Sequence, residues 1–304
     1  MAAGGENVNR LDLVIWTYNS ESTLEGCLSS IERAIPSNRI CHKIGVDGGS
    51  KDRTREILAD HGWSVYTTRP GIATQANKAL SLVDTDYYAS FEHDVFIQAG
   101  WLERIHPLLG NPRVAIAQGF RCFKGSELLK KLDDYQKRGH YPSWANYSLD
   151  NTLYRTSTIR ESGGYPYGCP YSTDSLLREK IIQHGYNWLV DAGTVTYHYK
   201  PSYWQFLRHS LRAIMKCRTY WLLKRDFEMP IPEQLFRTLL SPLLGAKIAG
   251  KSHTPSAFIA YPLMRYSRFF VRELTRDEKR IGLMMPPNGN GTVYPLPQRQ
   301  LEAS

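Results

Sequence analysis

The chain has 304 residues, enough for one large domain or two small ones with an ample core. With 22% charged residues it reads as globular and soluble, and no stretch reaches the roughly 20 apolar residues of a membrane span. The net charge of +9 is uneven: residues 1–200 hold 22 Lys/Arg against 22 Asp/Glu, residues 201–285 hold 15 against 6, so a neutral body carries a basic appendage.

Along the first two hundred residues strand and helix patterns alternate, which predicts an α/β fold with a mainly parallel sheet flanked by helices. Leu11–Thr17 reads as a strand, and Ser22-Thr23-Leu24-Glu25 has capping-box spacing for the helix behind it. Ile40–Asp47 is a second strand, turned by Gly48-Gly49-Ser50 into a helix over 51–60. Trp63–Thr68 is a third strand, Gly71 opens a helix to Val83, and Tyr87–Glu92 is a fourth strand ending in Glu92-His93-Asp94. Two carboxylates one residue apart at a buried strand's end are costly to desolvate. They form either a solvated acidic loop or a site for a divalent cation carrying a diphosphate. Tyr18, Asp47 and Asp94 all fall at the carboxyl ends of strands, where open α/β sheets bind ligands.

Further along, the pattern predicts a helix over 99–109, a strand over 114–119, and a pocket wall of loops over 139–173, rich in Gly, Pro, Tyr and Ser. A helix over 174–184 and short strands at 186–191 and 194–198 close the unit. Beyond Pro201 the chain reads as helical, broken at Pro230, Pro232, Pro242, Pro255 and Pro262, with a loose tail over 286–304. The expected organisation is a catalytic body over 10–200, a basic helical extension over 201–285, and the tail.

The order of these segments resembles glycosyltransferase family 2, whose nucleotide-sugar-binding fold is called GT-A and is Rossmann-like. Leu13-Val14-Ile15-Trp16-Thr17-Tyr18-Asn19 is similar to the family's first strand with its Thr-Tyr-Asn ending. Val46-Asp47-Gly48-Gly49-Ser50-Lys51-Asp52-Arg53-Thr54 is similar to its Val-Asp-Asp-Gly-Ser-x-Asp-x-Thr turn, and Gly71–Ala79 to the next helix. Glu92-His93-Asp94 stands where the family keeps a metal-binding DXD. Gly163-Gly164-Tyr165-Pro166, the helix from Asp174, and Val195-Thr196-Tyr197-His198 match its acceptor-side half. Four departures stand out. Trp16 replaces a proline, and Gly48 replaces a second Asp that often contacts the base. Glu92 replaces the first Asp of the metal motif, and Thr173-Asp174 replaces the usual Glu-Asp.

The resemblance implies an inverting, metal-dependent transfer of a sugar from a nucleoside-diphosphate sugar to an acceptor hydroxyl on a glycan or lipid-linked glycan. Mn2+ or Mg2+ would be the cofactor. Asp94 and Glu92 are then candidate metal ligands, with Glu92 alternatively on the ribose, and His198 ligates the metal, bonds a phosphate, or is simply packed. Thr17, Tyr18 and Asn19 line the donor site; Tyr18 stacks near the base or is packed. Asp47 binds the nucleoside end or caps its own turn through Ser50. Arg69 and Lys78 meet the diphosphate or are solvated. Asp174 is the general base or a helix cap. The alternatives are a polyprenyl-phosphate acceptor, which needs no base, and a catalytically silent nucleotide-sugar-binding protein of the same fold.

Within the extension, Trp204, Leu207, Leu211 and Ile214, with Trp221-Leu222, form an apolar stripe, and Arg208, Arg212 and Lys216 line an adjacent face. Such a helix lies on an anionic membrane surface or packs its stripe on the body. No nucleic-acid-binding module is recognisable. Cys27, Cys41, Cys122, Cys169 and Cys217 lack the spacing of a disulfide framework or a zinc cluster. The N-terminus lacks the basic-then-apolar pattern of a secretory signal. The expected location is cytoplasmic, peripheral on the membrane's cytoplasmic face if the extension docks there.

Overall fold

The computed structural model describes residues 10–137, 147–167, 173–216 and 231–274. Among these, residues 10–166 and 173–205 form one compact unit, and residues 206–274 with Tyr167 form a second.

In the first unit, β1 (Leu11–Thr17), α1 (Glu21–Ala34), β2 (Ile40–Asp47), α2 (Thr54–Asp60), β3 (Ser64–Thr67), α3 (Ile72–Leu82) and β4 (Tyr87–Glu92) follow one another as the sequence pattern predicts. β1 lies between β2 and β4, parallel to both, and β3 pairs in parallel with β2. Both faces of β1 are covered, so it is apolar nearly throughout: Leu11, Leu13 and Ile15 enter one core, Val14 and Trp16 the other. Trp16 packs edge-on against Tyr165 at 6.3 Å, so the replaced proline is a change in packing.

The rest of the unit comprises β5 (Val95–Phe96), α4 (Trp101–Ile105), β6 (Val114–Gly125), α5 (Glu127–Lys137), β7 (Asn151–Arg155), α6 (Thr156–Glu161), α7 (Thr173–Gln183) and β8 (Asn187–Lys200). The sheet order is β3-β2-β1-β4-β7-β6-β8-β5. Here the sheet becomes mixed: β7 runs antiparallel to β4 and β6, β5 runs antiparallel to β8, and β6 and β8 are parallel.

Several boundaries differ from the sequence reading. α1 starts at Glu21, with the Ser20 carbonyl accepting from the amides of Thr23 and Leu24, so Ser22 is inside the helix and forms no capping box. α2 starts only at Thr54, because Asp52 accepts from the Thr54 amide and hydroxyl and holds the preceding residues in a turn. The helix expected over 99–109 is α4 followed by a 3₁₀ turn, His106–Gly110, at Pro107. The two strands expected over 186–198 are one strand, β8, with an irregularity opposite Gly119–Phe120. Gly119 permits it: a Cβ there would lie 2.7 Å from Asn151 Oδ1 and 2.8 Å from the Thr194 carbonyl. β7 and α6 occupy part of the stretch read as loops, because β7 is short and its pairing partners are distant in sequence.

Asn77 of α3 ties that helix to the Gly163-Gly164-Tyr165 turn. Its side-chain amide accepts from the Tyr165 amide at 2.8 Å and donates to the Tyr165 carbonyl at 2.7 Å. Gly164, at φ 71°, is required: a Cβ would lie 2.5 Å from Asn77 Oδ1.

The second unit is helical. α8 (Tyr203–Lys216) contains the boundary between the units, and α9 (Ile231–Leu239), α10 (Ser241–Ser252) and α11 (Ala257–Leu274) follow. Leu207 is buried on α8, but Trp204, expected on the same stripe, is 62% exposed. Pro262 lies inside α11 without breaking it. The carbonyl it leaves without a helical donor, that of Phe258, is closely approached by Gly245 of α10, where a Cβ would lie 3.0 Å away. Trp221-Leu222, Cys169, Cys217, the side chains of Ile214 and Lys216, and the tail lie outside the described residues.

Candidate active site

Pairing between distant strands assembles an acidic edge. β4 delivers Glu92, and a tight turn then carries the chain through Asp94 into β5, which pairs Val95 with His198 of β8. The Asp94 carbonyl accepts from the Tyr199 amide at 2.7 Å, fixing the turn to β8. On a strand, residues two apart share a face, so His198 and Lys200 both reach Asp94. His198 Nε2 lies 3.0 Å and Lys200 Nζ 2.9 Å from Asp94 Oδ2. Beneath them, fully buried Asp150 accepts from Ser148 Oγ and Asn151 Nδ2 and pairs with Arg121 of β6 at 3.1 Å.

Three carboxylates thus share one buried edge, and their environments push them apart. Burial, followed by the charges of Asp150 and Asp94, pushes Glu92 up to about 8. Burial also opposes the charge on Asp94, but His198 and Lys200 outweigh it and hold that carboxyl well below the usual range. Asp150 is lowered against its burial, first by Arg121. Burial likewise disfavours the charge on Arg121, yet Asp150, Glu92 and Asp174 together keep it charged. Asp174, in the first turn of α7, is the weakest of these influences.

The donor set suits a divalent cation. Ligand atoms of Glu92, Asp94 and His198 all lie within 4.8 Å of one another. Metal-bound histidines typically pass their second ring N–H to a carboxylate. His198 Nδ1 is buried without a hydrogen-bond partner and sits 3.6 Å from Asp150 Oδ2, where such a proton would find its acceptor.

Next to this edge in the sheet, the ends of β1 and β2 form a second loop cluster. Asp47 is fully buried and accepts from Thr17 Oγ1, Ser50 Oγ and the amides of Gly49 and Ser50, which fills its carboxylate. Asp47 thus shapes its own turn, with buried Thr17 bonded to it. Asn19, at φ 48°, bridges to the second loop by donating its amide to Ser50 Oγ and accepting from the Lys51 amide. Tyr18 is 50% exposed beside Gly48. A Cβ at Gly48 would come within 3.1 Å of the Pro70 backbone and 3.3 Å of the Tyr18 ring, which accounts for the absence of a larger residue there. Arg69 is exposed, and Lys78 lies 5.6 Å from the ring of Tyr66.

The sequence reading missed Asp150, Arg121 and Lys200. Lys200 had a signal, its two-residue spacing from His198 on a strand. The other two had none, since β7 and the outer half of β6 were not recognised.

A family model described as glycosyl transferase family 2 matches residues 12–191, more than half of the chain. The chain belongs to this family of enzymes and has the GT-A fold. Among solved structures it is similar to the mannosyltransferase PcManGT from Pyrobaculum calidifontis in complex with GDP-Man and Mn2+. The TM-score is 0.61 at 15% identity, over 87% of this chain and 86% of that one. It is also similar to S. aureus TarS 1-349, with a TM-score of 0.50 at 15% identity over 87% and 90% of the two chains. A third likeness is to glucosyl-3-phosphoglycerate synthase from Mycobacterium tuberculosis in complex with Mn2+, UDP and phosphoglyceric acid. There the TM-score is 0.50 at 17% identity, over 68% and 77%. At these identities the likeness is one of fold. No curated protein matches the sequence.

Removing Arg121 leaves Asp150 buried without its cation. Arg121→Met is therefore expected to lower unfolding stability by roughly 3–5 kcal/mol, read from urea denaturation. A loss under 1 kcal/mol would mean that the pair does not hold this edge together.

Proposed function

We propose that the protein is an inverting glycosyltransferase that moves a sugar from a nucleoside-diphosphate sugar to an acceptor hydroxyl, on a glycan or lipid-linked glycan at a membrane surface. The observation that carries this reading is the convergence of Glu92, Asp94 and His198 at the carboxyl edge of the sheet. Glu92, Asp94 and His198 would hold the Mn2+ or Mg2+, which when bound supplies Lewis-acid stabilisation of the departing diphosphate. Lys200, already drawn to Asp94, offers its ammonium to the same phosphate oxygens. Tyr18 and Asn19 face the nucleoside from loops that Asp47 and Thr17 hold in shape. Asp174 takes the proton of the acceptor hydroxyl as that oxygen attacks the anomeric carbon from the side opposite the leaving group. A single base at the acceptor is what inversion requires. Complexes with GDP-Man and Mn2+, and with UDP and Mn2+, among structures of the same fold agree with this assignment.

Support for a membrane surface comes from the second unit. Its described stretches, residues 206–216 and 231–274, carry 9 Lys/Arg against 2 Asp/Glu. They expose large apolar side chains: Phe236 is 60%, Leu239 57%, Leu243 68% and Ile259 68% exposed. No helix among the described residues is long and apolar enough to cross a membrane. Apolar side chains together with an excess of cations suit docking on an anionic lipid surface.

Sugar transfer is expected to stop in excess EDTA and in Asp94→Ala with the fold retained, and full turnover in either case would defeat the metal assignment. Asp174→Asn should lower kcat by about a hundredfold or more with donor KM little changed. Retained turnover would favour an acceptor phosphate, which is already ionised and needs no base.

The protein should cosediment with anionic vesicles and not with neutral ones. Arg208→Glu with Arg212→Glu should weaken that binding, each basic residue near the surface adding about 1 kcal/mol. Binding that ignores lipid charge would count against docking by this unit.

A further inference from the structure

At the amino-terminal end of β1, about 17 Å along the strand from Thr17, a second group of ligand-type side chains converges. Asp12, Cys41, His42 and Asp84 each place one ligand atom within 4.8 Å of the others. They come from three segments: the start of β1, the start of β2, and the turn before β4.

A strand irregularity brings them together. Leu11 pairs with Ile40 and Leu13 with Lys43, so the single residue Asp12 faces two residues, Cys41 and His42. Such a bulge re-aims side chains that would otherwise alternate between faces. Asp12 is fully buried, and its carboxylate is held from behind by two backbone amides, those of His42 and Asp84, each at 3.0 Å and on different oxygens. A carboxylate has about four acceptor positions; the second on Oδ1 faces His42 Nδ1, and Oδ2 keeps one for another partner. His42 Nδ1 lies 2.9 Å from Asp12 Oδ1 and 3.3 Å from Asp84 Oδ1. Cys41 is a free, half-buried thiol with Sγ 3.9 Å from His42 Nε2. No lysine or arginine among the described residues forms an ion pair with Asp12 or Asp84. Two carboxylates therefore rest on one imidazole.

We propose that this cluster is a structural zinc site, separate from the catalytic edge, with Cys41, His42, Asp12 and Asp84 as its four ligands. The ligand nitrogen of His42 is Nδ1. Nitrogen and oxygen ligands about 2.0 Å from a tetrahedral Zn2+ stand about 3.3 Å apart, close to the spacings of Nδ1 from Asp12 and Asp84. The Cys41 sulfur, now nearer Nε2, turns toward that side on binding. A thiolate with an imidazole selects zinc over the harder magnesium or manganese. The amides of His42 and Asp84 act on Asp12 as outer partners that orient a ligating carboxylate. On binding, the Cys41 thiol gives up its proton to solvent and its sulfur takes the fourth position. All four positions are filled by protein, so the ion does no chemistry; it joins the starts of β1 and β2 to the turn before β4.

The test uses the full chain, stripped of metal and titrated with Co2+, which reports thiolate ligation by a charge-transfer absorption in the near ultraviolet. The expected result is one tetrahedral cobalt with that absorption, displaced by Zn2+, and a melting temperature that rises with added Zn2+. Cys41→Ser should lose the absorption and the Zn2+-dependent rise. Asp84→Asn, at an exposed side chain, should weaken Zn2+ binding about tenfold or more and keep the far-ultraviolet circular dichroism of the unaltered protein. No charge-transfer absorption in the unaltered protein, or one that survives Cys41→Ser, overturns the proposal. Glu92, Asp94 and His198 include no thiol, so the result does not depend on the catalytic reading.

Discussion

The fold depends on keeping three carboxylates, Glu92, Asp94 and Asp150, side by side at a sheet edge that is largely closed to water. Like charges at such spacing repel strongly where water is scarce. The cations that make the arrangement tolerable come from strands remote in sequence: Arg121 from β6, His198 and Lys200 from β8. β6 lies beside β7, and β8 beside β6 and β5, and this order brings their cations to the acids. The same convergence creates a place that attracts a cation.

The neighbouring loops solve a different problem. At the ends of β1 and β2 one buried carboxylate, Asp47, is satisfied wholly by local donors, and it shapes two loops at once. Asn19 then bridges them from a left-handed backbone conformation that asparagine tolerates better than most residues. Asp47 is met by its own loops, whereas Asp94 at the neighbouring edge is met by side chains of β8. The difference between them is how many donors the fold supplies to each.

Opposite ends of the same sheet carry different ligand sets. The carboxyl end gathers hard oxygen donors with one histidine, and the amino end gathers a thiol, an imidazole and two carboxylates. The first unit is close to neutral, and the excess of positive charge lies in the second.

The alternating strand and helix patterns, the loop after β2, and the acid-x-acid pair at a strand end could be read from the sequence, because each is set by residues within a few positions of one another. Asp47, Glu92 and Asp94 became candidates in that way, and the resemblance to the family added Thr17, His198 and Asp174. Asp150, Arg121 and Lys200 were not found, because their importance comes from pairings across the sheet, β7 with β4 and β6 with β8. Composition counted the cysteines and saw no zinc spacing, since Cys41 meets Asp12 and Asp84 only through a bulge between β1 and β2. Trp204 was placed on a buried stripe by helical period, but period fixes only which residues share a face. Whether that face is covered is decided by what packs against it. Neighbouring residues set the local elements and the charges they carry; strand order and register, which join residues far apart in the chain, set which of those charges face one another.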